Sequence, residues 1–277
     1  MIRKRGSGHA NSPLFVVGFA LVNEMLSLLL WRAGLVLEFV VLARAVRSRM
    51  VTRFPYFYSY VFCVFGVSLV LYIGYAAWPG FYNRWYWPTQ FATLVAGCGV
   101  VLDVVRHAFG FYPGAQRVAW LACLAAFVAT FCYVGAKSAR QAARTPLAVT
   151  VELERDLRVI EALLLVAIMS IVFYYGIELG RNLVGLIVGF GAYVGVSLVT
   201  LAIRAFMGYR FNAAWVSLQS GTYLLSLMVW MIALWSYSAQ AEPEDRARFE
   251  TDYEALAGAT RQILDSLRSY FKRTARS

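Results

Sequence analysis

Four residues place polar chemistry inside or beside long apolar runs: Gln90, Arg158, Glu161 and Gln219. An ionisable group at membrane depth is costly, so such a residue is a functional-site candidate by default. A guanidinium, a carboxylate and two amides in one half of a helical bundle, with Arg204 and Ser220 at its margin, would line a polar pocket for a ligand or an ion. A second set, Glu38, Asp103, Arg106, Arg181 and Asn182, falls near helix ends that share the opposite side of the membrane, with His107 beside it. There a carboxylate and guanidinium cluster is expected just below one headgroup layer, because buried charges pair. The bland alternative for both sets is structural: long side chains near a helix end snorkel to the interface, and ion pairs between helices are common.

Other chemistries are excluded by what the chain lacks. Its histidines are His9 and His107, too few for a histidine-rich intramembrane metal site, and no metal ligand set is expected. Lys4, Lys137 and Lys272 all fall outside the apolar runs, so no retinal Schiff base can form in the last span. No phosphate-cradling glycine loop, nucleophile elbow or His-Glu-x-x-His motif is present. The expectation is a non-enzymatic protein without a cofactor.

The elements that position these residues are legible as six stretches without a charge: 54–83, 85–102, 118–136, 162–177, 182–203 and 211–241. Charged residues make up 15% of the 277, against about a quarter in soluble domains. A spanning helix needs roughly 20 apolar residues, and most of these stretches reach that length. They are apolar on all sides, whereas barrel strands alternate. The expected architecture is all-α, a polytopic bundle of about seven transmembrane helices. It comprises an N-terminal extension over 1–24, a transmembrane domain over 25–237 and an amphipathic helical tail over 238–277. Spans are predicted at about 25–45, 55–78, 86–108, 116–136, 156–178, 182–206 and 212–237. Glu24, Arg32 and Glu38 make the first the least clean.

The net charge of +11 does not indicate nucleic acid, because the basic residues are scattered through short loops beside the expected headgroups. The stretch from Trp78 to Pro88 holds six aromatics in eleven residues and reads as a loop on the membrane surface. Glu154 and Arg158 are four apart and are expected to pair along one helix surface. Gly185, Gly189, Gly191 and Gly195 form two small-x-x-x-small frames for close helix packing, within this chain or with a second copy. Between 243 and 274, Phe249, Tyr253, Leu256, Thr260, Ile263, Leu267 and Tyr270 form a heptad-like seam, weakened by Gly258 and Thr260, for a membrane surface, a partner or self-association. The basic residues divide nine against nine between the two sides. Four arginines in the first loop tilt the orientation to N-outside and C-inside.

The stretches Phe54-Pro-Tyr-Phe-Tyr-Ser-Tyr60, Arg84-Trp-Tyr-Trp-Pro-Thr-Gln90, Glu154-Arg-Asp-Leu-Arg158 and Gly180-Arg-Asn-Leu-Val-Gly185 resemble those of a group of uncharacterised bacterial seven-helix membrane proteins. The resemblance covers most of 25–237. It implies the helix count and a bacterial inner-membrane location, and it implies no activity. The group often has an acid where this chain has Gln90, which puts a carboxylate role at that position in doubt. The preferred reading is a protein that senses or binds a small or lipidic ligand in the pocket and relays through the tail. The alternatives are a transporter or channel subunit, or an assembly subunit of a membrane complex.

Overall fold

A computed structural model describes residues 13–77, 79–140, 146–207 and 212–238. The expected tail beyond Ser238 and the first twelve residues lie outside them. Among the described residues there are seven long helices: α1 (Pro13–Arg47), α2 (Pro55–Ala77), α3 (Pro79–Ala108), α4 (Pro113–Arg140), α5 (Pro146–Tyr174), α6 (Arg181–Met207) and α7 (Asn212–Ala233). Five of the seven begin on a proline. There its missing N–H costs nothing and its fixed φ is already helical.

Among the described residues, five stretches are long and apolar enough to cross a membrane: Pro55–Gly74, Pro88–Ala108, Pro113–Arg140, Glu152–Tyr174 and Arg181–Arg204. Their outward positions, such as Phe62, Val128, Val166 and Val199, are exposed apolar side chains, as lipid-facing surfaces require.

Two elements differ from the sequence expectation. The span expected at 25–45 is the second part of a single helix starting at Pro13. The aromatic stretch expected as a surface loop is helical from Pro79, so it forms the opening turns of α3. Pro88 therefore lies inside this helix and removes one backbone donor. The Thr89 hydroxyl turns back onto the carbonyls of Trp85 and Tyr86, at 2.9 and 2.8 Å.

The helices form a ring. α1 packs on α2, α2 on α3, α3 on α5, α5 on α6, α6 on α7, and α7 returns to α1. α4 stands outside it against α3 and α5, and the ion pair of Lys137 with Glu152 ties it to α5. The turn from α5 to α6 is set by Gly176 at φ +60, with Ile177 N–H donating to Val172 O at 2.9 Å and Gly176 N–H to Phe173 O at 3.3 Å. Those two bonds form the Schellman arrangement that favours glycine at this position.

Where α6 meets α7 the contact is closest. A side chain at Gly185 would collide with Ala233, and one at Gly189 with the Trp230 indole. Gly191 and Gly195 have nothing within 4 Å, so only the first frame makes this contact. One end of the ring is filled by Trp230, Phe57 and Phe190, all fully buried. Trp230 meets Phe57 edge to face at 5.0 Å and donates from its indole to Leu186 O at 3.3 Å.

Gly185→Leu and Gly189→Leu are each expected to destabilise the bundle by about 1–3 kcal/mol, the usual cost of overpacking. Gly191→Leu should be close to neutral. Thermal unfolding in detergent micelles compares the three, and equal losses at all positions would contradict this packing.

Candidate ligand-binding cavity

The six ring helices line a partly open cavity of about 570 Å³ to which α4 contributes no lining residue. Its wall takes Trp31, Gly34 and Glu38 from α1, Tyr60 and Ser68 from α2, Tyr86, Gln90 and Thr93 from α3, Glu154 and Arg158 from α5, Tyr193 from α6, and Trp215, Gln219, Ser220 and Tyr223 from α7. The cavity extends toward the end of the bundle where α3, α5 and α7 begin, and the aromatic plug around Trp230 lies beyond its inner end.

Arg158 and Glu161 dominate one side. They are three residues apart on α5, and Arg158 Nη1 donates to Glu161 Oε2 at 2.9 Å. Glu161 is completely buried and Arg158 is 4% exposed, so solvent screens neither charge. The guanidinium lies 4.8 Å from the Tyr193 ring centroid and its Nη2 is 3.4 Å from the Tyr193 hydroxyl. Space for the carboxylate comes from α3: a side chain at Gly97 would come within 3.2 Å of Glu161 Oε1. Arg158 thus pairs with Glu161, not with Glu154 as the i,i+4 spacing suggested. Both acids are in reach along the helix, and the fully buried one has no other source of compensation.

The opposite wall carries Glu38. It is 2% exposed and accepts a hydrogen bond from the Tyr223 hydroxyl at 2.8 Å on Oε1. Gln219 and Trp215 lie on α7, and Arg204 stacks over the Trp215 ring at 4.4 Å.

The structure thus brings Gln90, Arg158 and Gln219 to one cavity, with Ser220. Glu161 stands behind Arg158 and is not part of the wall. Glu38 is not with the second set but in this cavity. It precedes the end of α1 by nine residues, about 13 Å of helix, and therefore reaches deeper than a headgroup position.

Among the described residues no hydrogen bond or ion pair joins the side chains of the remaining members of the second set to one another. Asp103 Oδ2 accepts the Phe57 N–H at 2.7 Å, satisfying a first-turn donor of α2 that has no intrahelical partner. Arg106 is exposed, and its carbonyl accepts the Gln116 amide at 2.7 Å. Arg181 donates to Ser236 Oγ at 2.7 Å. Asn182 donates to the carbonyls of Ala233 and Ser236, at 2.7 and 2.8 Å, and accepts from Ser238 N–H at 2.6 Å, closing the end of α7. His107 stacks on Phe54 at 4.2 Å. These residues tie helix ends to neighbouring segments.

Sequence reasoning missed the tyrosines. Tyr60, Tyr193 and Tyr223 sit in apolar runs where phenylalanine would satisfy burial alone. A hydroxyl at that depth needs a partner, and this was the available signal.

Fold and cavity define an all-helical protein of membrane type with a polar and aromatic chamber inside a ring of six helices. Compared with protein-family models, curated proteins and solved structures, the chain matches none.

Tyr223→Phe keeps the ring but removes the hydrogen bond to Glu38. It is expected to lower unfolding free energy by about 1–3 kcal/mol, as for a buried acceptor left unpaired. An unchanged denaturation profile in micelles would show that this bond contributes nothing.

Proposed function

We propose that this chain is a seven-span integral membrane protein of a bacterial inner membrane that binds a small or lipidic ligand in the ring cavity, and that it acts as a binding or sensing protein rather than an enzyme. On this reading α1 and α7 cross the membrane together with the five helices already long and apolar enough to span it, the N-terminus is outside, and the C-terminal helix relays the bound state. The group of uncharacterised bacterial seven-helix proteins it resembles is its proposed family.

One observation carries the binding reading. Buried polar atoms in folded proteins almost always have hydrogen-bond partners. Among the described residues seven buried side-chain atoms have none, and four of these belong to residues that line the cavity: Glu38 Oε2, Arg158 Nε, Trp215 Nε1 and Gln219 Oε1. A fifth, Glu161 Oε1, lies directly behind it. Donors and acceptors left over around one chamber of drug-like volume are what a polar ligand would complete.

Assembly is a second reading that one feature favours: Gly191 and Gly195 have open space around them on α6, leaving their frame free for another helix.

Native mass spectrometry of protein released from mild detergent tests the binding reading. The intact chain is expected to retain a bound molecule that Ser220→Trp, which fills the chamber, loses. A bare mass for the unmodified chain, or equal retention by the filled variant, would contradict it.

A further inference from the structure

The wall of the chamber is not electrically balanced. Two carboxylates, Glu38 and Glu154, and one guanidinium, Arg158, line it. That guanidinium is already matched by Glu161 at 2.9 Å. Glu154 stands about one turn from Arg158 on α5, and the charge of Arg204, which stacks on the Trp215 ring, also reaches it. Glu38 has no such neighbour: it makes no ion pair among the described residues, and its one hydrogen bond comes from a neutral phenol. It is also almost completely buried, so bulk water does little to screen it.

A buried carboxylate with one neutral partner is expensive as an anion, and either a proton or a cation relieves that cost. Six aromatic side chains line the chamber with Glu38; among them Tyr223 bonds to it, Trp31 lies two turns before it on α1, and Tyr60 stands on the neighbouring α2. A carboxylate among aromatic rings is the chemistry that receives substituted ammonium ions, because the ring quadrupoles and the fixed negative charge act in the same direction. An anion would face two carboxylates and a guanidinium that is already neutralised.

We propose that the chamber binds an organic ammonium, with its charge held by Glu38 amid Trp31, Tyr60 and Tyr223. This rests on the ligand-binding reading of the cavity and adds the chemical class. The ammonium comes either from a free amine or from the headgroup of a lipid, and the same recognition serves both.

The test uses the full chain in a non-ionic detergent and two matched pairs. Choline and its neutral carbon isostere 3,3-dimethylbutanol form the soluble pair, read by the shift in unfolding temperature against concentration. Phosphatidylethanolamine and phosphatidylglycerol form the lipid pair, read by retention in native mass spectrometry. In at least one pair the ammonium member should bind about tenfold more tightly than its counterpart, and Glu38→Gln should erase that preference. The pair that shows it identifies the source. The preference of the unmodified chain decides the matter even if the variant fails to fold, and Glu38→Asp should keep its sign.

Equal binding of both members of each pair would overturn the ammonium assignment and leave the ligand-binding reading standing. A preference that survives Glu38→Gln would overturn the role of Glu38. No saturable binding of any of the four compounds, with a bare native mass, would overturn both.

Discussion

The ion pair of Arg158 and Glu161 constrains the centre of this molecule. Each charge is buried, and burying an ion costs several kcal/mol even after relaxation. The pair is therefore held only if its neighbours conform to it. Gly97 leaves room on α3, Tyr193 on α6 places its ring and hydroxyl against the guanidinium, and α5 supplies both charges three residues apart. Three helices of the ring are fixed by one compensated charge pair. Its outer edge gives the chamber a polar wall without a net charge of its own.

The rest of the ring is a contrast in side-chain size. On the α6–α7 seam, Gly185 and Gly189 bring the backbones together and leave no space. Around the chamber, Trp31, Tyr60, Tyr86, Tyr193, Trp215 and Tyr223 hold the helices apart. At the inner end the fully buried Trp230, Phe57 and Phe190 refill the interior. The cavity thus follows from where small and large residues fall along helices that are otherwise uniformly apolar, and Glu38 is the carboxyl group on its wall that this arrangement leaves without an ion pair among the described residues.

The membrane character was legible because length and the absence of charge are properties of single segments. Helix existence and order could be read from the runs, and five helix starts coincide with prolines. Helix ends were less legible: the stretch from Trp78 to Pro88 carries interface-loving aromatics and a proline, yet backbone pairing continues through most of it. Gln90, Arg158 and Gln219 could be grouped because each lies near the same ends of its helices. Glu38 could not, since its depth depends on how far α1 continues past it. Nor could Asp103 and Asn182 be recognised as partners of helix ends, because the donors and acceptors they satisfy lie 46 and more than 50 residues away. Rotation of each helix about its axis decides which side chains meet, and uniformly apolar spans carry almost no periodic signal for it.

The coupling energy between Arg158 and Glu161 measures the central constraint most directly. Unfolding free energies in micelles are needed for Arg158→Met, Glu161→Met and the double variant. Each single change should cost about 3–5 kcal/mol by leaving its partner buried and uncompensated, while the double variant should recover much of that loss. Single losses that add to within about 0.5 kcal/mol in the double variant would mean the two residues act independently, and would contradict the account.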